Sequence, residues 1–199
     1  MEVKTLLAVI ASTIAVVSYI PYLWDIRHNK TKPHAFSWFT WSLLGFIAGY
    51  AEFRAGGGIG ASVVLVSATI SLCIAYIAHK QGSVKITRSD WITFVAALLA
   101  IVLLIVTRRP LLSVITASIS TIVGFWPTIR KSLIHPHDET LSTYFLSTVR
   151  QCLTIAALQH FNLTTVLYPA SLAITTGLFV LMLLVLQLKC DLSSDRILS

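Results

Sequence analysis

Arg150 is the residue in this sequence whose chemistry and surroundings disagree most. It lies in LSTYFLSTVRQCLTIAAL, residues 141–158, a stretch otherwise apolar enough to cross a bilayer. A guanidinium keeps its proton at ordinary pH and presents its N–H donors in a rigid fork. Placing it at a bilayer centre costs about 2.5–3.5 kcal/mol on insertion scales. Such a fork suits a carboxylate or phosphate, which it grips through two parallel hydrogen bonds. Gln151 is its neighbour, and Ser147, Thr148 and Thr154 share the region. The competing reading is structural, with Arg150 paired to a protein carboxylate or to helix carbonyls. Asp25 and Glu52 are the acids nearest the apolar segments, and each is expected near a helix end, away from Arg150's depth.

The other candidates for holding a solute are aromatic and hydroxyl residues in the apolar segments. Trp41 and Tyr144 offer flat faces for stacking or gating, although aromatic residues also serve as interface belts. Ser67, Ser71, Ser171 and Thr175 offer hydroxyls, although small residues also let helices approach closely. No metal is expected: His135-Pro136-His137 has no cysteine or carboxylate at ligand spacing. HExxH, phosphate-loop and nucleophile-elbow patterns are missing, so neither an enzyme nor a cofactor is expected. Asn162-Leu163-Thr164 matches a glycosylation sequon.

These residues must be held by membrane helices. The chain has 199 residues, 56% hydrophobic and 12% charged. A soluble domain carries about 25% charged residues. Runs such as FVAALLAIVLLIV lack the alternation of a barrel strand, which leaves a helix bundle. The net charge of +7 is explained by basic cytoplasmic loops rather than by nucleic acid. Cys73, Cys152 and Cys190 form an odd set, and Cys73 and Cys152 are expected to pack as small apolar groups inside helices. The first apolar run is too long for a signal-peptide core.

Apolar windows predict seven spans, at 5–25, 36–54, 59–79, 91–107, 111–131, 141–160 and 165–188. The expected cytoplasmic loops and tail hold Arg27, Lys30, Lys32, Lys80, Lys85, Arg88, Arg130, Lys131, Lys189 and Arg196. The opposite side holds Lys4, Arg54, Arg108 and Arg109. That asymmetry predicts an outside N-terminus and a cytoplasmic C-terminus.

The first and fifth spans share a pattern. ASTIAVVSYIPYLWDIR starts at Ala11 and ASISTIVGFWPTIRKSL at Ala117. Ala11, Ser12 and Pro21 match Ala117, Ser118 and Pro127 at an offset of 106. A polar loop and a helix opening follow each proline: AFSWFTW in the first copy, TLSTYFL in the second. The expected architecture is two parallel three-helix repeats joined by a linker helix, a 3+1+3 arrangement. Residues 1–82 form the first repeat, 83–110 the linker, and 111–199 the second repeat with a short tail. A proline within a helix removes a backbone bond and kinks it, so Pro21 and Pro127 are candidate hinges.

On these prolines, and on the segments KPHAFSW and DETLSTY, the chain resembles the PQ-loop superfamily. That group includes the SWEET sugar facilitators, lysosomal amino-acid exporters and, more distantly, the KDEL receptor. The glutamine that follows the family proline is replaced by Tyr22 and Thr128. The resemblance implies alternating access, with a solute held between the halves. The expectation is a facilitative transporter of a small polar solute with an anionic or zwitterionic group. A receptor of KDEL-receptor type and a sugar facilitator are the alternatives. The asparagine that sugar facilitators carry in the third helix of each repeat is missing in both copies. Expected partners are the solute and the lipid bilayer, with self-association left open. No buried carboxylate is expected mid-span, which favours downhill transport over proton coupling.

Overall fold

A computed structural model of the chain describes residues 2–28, 35–80, 86, 88–134, 136, 139 and 141–198. KPHAFSW and DETLSTY lie partly outside these residues, as does His135-Pro136-His137. The described residues form helices and turns and contain no strand. The helices are α1 (Glu2–Arg27), α2 (Ala35–Arg54), α3 (Ile59–Lys80), α4 (Arg88–Thr107), α5 (Pro110–Gly124), α6 (Trp126–Ile134), α7 (Leu141–Ala157) and α8 (Leu163–Leu198).

Four stretches are long and apolar enough to cross a membrane: Val3–Trp24, Ile59–Lys80, Pro110–Ile134 and Leu163–Cys190. The chain is thus an all-helical protein with the composition of a membrane protein. Trp91–Thr107 is a shorter apolar helix. α2 and α7 fall outside that set: α2 carries Glu52 and Arg54 among aromatic and hydroxyl side chains, and α7 is only 17 residues long and carries Arg150 and Gln151.

Several boundaries differ from those expected. The fifth span is two helices, broken at Phe125, two residues before Pro127. α1, in contrast, runs unbroken through Pro21. α7 ends at Ala157, and α8 continues through the expected tail to Leu198. Cys73, Cys152 and Cys190 are exposed on the bundle surface rather than packed inside it.

Helix contacts set the arrangement. α3 packs against both α1 and α2, while α8 packs against both α5 and α7. α4 lies against α5 and α2. α1 meets α7, α2 meets α5, α3 meets α7, and α2 meets α8. Alanines make the α1–α7 seam tight: Ala8, Ala11 and Ala157 are buried together with Val63. Small side chains let helix axes approach, which is how apolar helices gain dispersion energy in lipid.

The end of the bundle that carries the N-terminus is closed by hydrogen bonds. Gly56 (φ 89°) and Gly58 (φ 62°) turn the chain from α2 into α3 in a left-handed conformation that glycine adopts freely. Gln159 N–H donates to the Gly57 carbonyl at 3.1 Å. Asn162 Nδ2 donates to the Ala55 carbonyl at 3.0 Å. Lys4 Nζ reaches the carbonyls of Leu158 and Gln159 at 2.7 and 3.1 Å, capping α7. Asn162 also caps α8: its Oδ1 accepts from Thr165 N–H at 3.1 Å while Thr165 Oγ1 accepts from Asn162 N–H at 3.0 Å. The asparagine of the sequon is therefore fully engaged.

A Cβ on Gly60 would sit 2.8 Å from the Leu158 backbone nitrogen, whereas on Gly177 it would meet nothing nearer than 3.5 Å. Gly60→Ala should therefore cost about 1–3 kcal/mol through overpacking. Thermal unfolding in detergent should show a clear loss for Gly60→Ala and little change for Gly177→Ala.

Candidate functional site

Arg150 lies on α7 nine residues from its start and seven from its end, so roughly 14 and 10 Å from the termini by helix rise. It is only 5% exposed. Its Nη1 donates to Ser67 Oγ on α3, and its Nη2 donates to Ser147 Oγ one turn back at 3.2 Å. Its Nε is buried and has no hydrogen-bond partner among the described residues. The sequence placed Arg150 and Ser67 in one set, and the fold brings them into contact across α3 and α7.

A layer of polar and small residues continues from this contact. Next to Ser67, Ala68 packs on Gly45 of α2, where an added Cβ would lie 3.0 Å from the Ala68 Cβ. The Tyr168 hydroxyl of α8 lies 3.9 Å from the same point. That hydroxyl lies near Thr121 of α5, whose own hydroxyl donates to the Ala117 carbonyl at 2.9 Å. Five helices thus contribute to one cross-section: α2, α3, α5, α7 and α8. Gln151 and Thr154 are buried beside Arg150, and Thr148 joins Thr176 across α7 and α8 at 2.8 Å.

The remaining hydroxyl candidates turn to their own helices. Ser71 donates to the Ser67 carbonyl, Ser171 to that of Tyr168, and Thr175 to that of Ser171, at 2.7–3.0 Å. These back-bonds satisfy the hydroxyls without a partner helix.

The aromatic candidates occupy the opposite end of the bundle from the hydrogen-bonded closure. Trp41 meets Trp38 at 5.4 Å, and its indole nitrogen faces Gly124 where α5 ends. Trp38 donates to the Tyr22 hydroxyl at 3.1 Å and lies edge-on to Tyr19 at 5.9 Å. Tyr144 packs edge-on against Phe125 and Phe179, and its hydroxyl donates to Glu139 Oε2 at 2.7 Å. Tyr22 and Tyr144 both lie near the Glu139 carboxylate, so the two aromatic sets face one region. Trp41 and Tyr144 therefore belong to an aromatic layer toward that end, and Trp41 also packs on the apolar cluster that contains Tyr168.

Two residues escaped the sequence reading. Tyr168 sits among apolar neighbours beside Pro169, and nothing in its local pattern marks it. Glu52 lies two residues from the end of α2, where the sequence placed it, but its burial was not foreseen: it is 0% exposed, and neither carboxylate oxygen has a hydrogen-bond partner among the described residues. The loops of residues 55–58 and 158–162 lock together at this end and cover it. No group of three or more metal-ligating side chains occurs among the described residues. Protein-family models, curated proteins and solved structures give no match to this chain.

Ser67→Ala removes the one inter-helix acceptor of Arg150. Leaving that donor unpaired should cost about 1–3 kcal/mol. Thr69→Ala, exposed two residues away and bonded to its own helix, should stay within about 0.5 kcal/mol of wild type. Denaturation of the purified proteins in one detergent compares them directly.

Proposed function

We propose that the chain is a carrier of a small polar solute bearing an anionic group, and that it works by alternating access between two three-helix halves. The observation that carries this reading is the buried Arg150 guanidinium, held by two serine hydroxyls with its Nε unspent. Hydroxyls position a guanidinium but do not neutralise it. An incoming carboxylate or phosphate supplies the missing charge and the remaining acceptors.

The packing supports the 3+1+3 arrangement. Exchanging α1 with the α5–α6 path, α2 with α7, and α3 with α8 turns the α1–α7 contact into α5–α2 and the α3–α7 contact into α8–α2. All four contacts occur, and α4 stands outside the exchange. The offset of 106 also relates Tyr19 to Phe125 and Trp38 to Tyr144. Tyr19–Trp38 and Phe125–Tyr144 each meet edge-on at 5.9 Å. A matched pair in each half is what a duplicated unit leaves behind.

Alternating access needs one end sealed while the other opens. The N-terminal end is sealed by Lys4, Gln159 and Asn162 reaching across the two halves. Backbone and lysine hydrogen bonds of this kind break without a covalent step. Facing aromatic side chains form the opposing gate. In the orientation favoured by the Lys and Arg distribution, the sealed end is the outside and the aromatic gate is cytoplasmic. The helix break at Phe125 and Pro21 within α1 lie at this gate and supply the bending points. The solute's own gradient drives net movement.

Thermal stability of purified protein against anionic, zwitterionic, cationic and neutral metabolites tests the reading, because a ligand that binds the folded state raises apparent stability by mass action. An acid-bearing compound should stabilise wild type and lose its effect in Arg150→Gln. Stabilisation by a neutral sugar, unchanged in Arg150→Gln, would return the assignment to a sugar facilitator. Tight binding of a carboxylate without any uptake into liposomes would indicate a receptor instead.

A further inference from the structure

Arg150 is the one cation buried among the described residues. Two of a guanidinium's five N–H donors are spent on Ser67 and Ser147, and Nε is among those left over. Every other Lys or Arg whose side chain is described is exposed, except Lys4, which is partly buried. Lys4 is engaged at the N-terminal end of the bundle, on the carbonyls of Leu158 and Gln159.

No anion of the protein offsets that cation. Glu52 is fully buried, and neither of its carboxyl oxygens is hydrogen-bonded among the described residues. A carboxyl enclosed in this way is held neutral, because an isolated carboxylate in an apolar interior is far costlier. The other buried side-chain atoms without partners among the described residues are the hydroxyls of Ser113, Ser118 and Thr143. Hydroxyls solvate a neutral polar group but balance no charge. The layer around Arg150 therefore carries a single positive charge, and no group of three or more metal-ligating side chains accompanies it among the described residues.

We infer that the site takes one negative charge without a counter-ion, so that the cargo is a monovalent anion and each turnover moves one net negative charge across the membrane. This rests on the carrier reading above, with Arg150 as the anion site. A monoanion leaves the loaded layer neutral, the least costly state in an apolar surrounding. A dianion leaves one negative charge uncompensated, and a neutral solute leaves the guanidinium uncompensated. Arg150 returns with the carrier, so over a full cycle only the charge of the cargo is displaced. An inside-positive membrane potential then adds to the solute's own gradient in driving uptake.

Charge is varied at nearly constant shape by three pairs of probes at neutral pH: malonamate with malonate, succinamate with succinate, and glutaramate with glutarate. The first readout is ligand-dependent thermal stability of the full chain. In at least one pair wild type should bind the monoanion at least about tenfold more tightly than the dianion. The second readout is uptake of that monoamide into proteoliposomes. It should accumulate about tenfold further for each ~60 mV of inside-positive potential set by potassium and valinomycin. Glu52→Gln should keep both results, since the side chain is neutral in either form. Dianions bound as tightly as monoanions, or none of the six probes bound, overturns the inference. So does accumulation that follows a pH gradient and ignores the potential, or a folded Glu52→Gln protein that gains dianion binding. The wild-type results decide even where a variant does not fold. Arg150→Gln separates the two levels: if it binds and carries the probes as wild type does, the anion site itself is wrong, whereas loss of binding there beside potential-independent uptake in wild type removes only the uncompensated charge.

Discussion

A guanidinium that cannot shed its proton, enclosed by apolar helices, is the constraint around which this bundle is organised. Ser67 on α3 and Ser147, one turn back on α7 itself, take two of its donors. Desolvating such a charge is costly, and hydroxyl dipoles return only part of that cost. The donor left at Nε is the visible remainder.

The two ends of the bundle differ in physical character. One is fastened by directional bonds: a lysine on carbonyls, an asparagine between loops, and glycines in left-handed turns that let α2 re-enter as α3. The other is filled by aromatic edges, whose contacts are broad and tolerant of sliding. Directional bonds suit a state that is either fully closed or fully open. Aromatic layers suit gradual separation of two halves. The charged layer lies between these two closures.

Apolar runs and turn formers made most of the helices legible, because bilayer thickness sets their length and glycine or polar clusters end them. The broken fifth span was not legible in detail: Pro127 marked the neighbourhood, but the helix ends at Gly124, where Thr93 and Trp41 leave no room for a side chain. Arg150 was legible because a charge in an apolar window stands out. Ser67 was legible only as one hydroxyl among many, since back-bonded serines such as Ser71 and Ser171 look identical in sequence. Glu52 was placed at the helix end where it lies, but its burial was not legible, because counting residues from a helix end measures depth along one axis. It says nothing about loops from a distant segment folding over that end. Tyr168 had no signal at all, since its role comes from Gly45 and Thr121, 123 and 47 residues away.

Counterflow in proteoliposomes is the most direct measurement of the central claim, that Arg150 holds the solute in a carrier with two alternating closures. Vesicles preloaded with unlabelled ligand should accelerate entry of labelled ligand above that into empty vesicles, because a loaded carrier returns faster than one that must wait for cargo. Arg150→Gln should abolish this acceleration, and Arg150→Lys should restore little of it, since an ammonium lacks the planar fork. Equal uptake into loaded and empty vesicles, or counterflow undiminished in folded Arg150→Gln protein, would contradict the account.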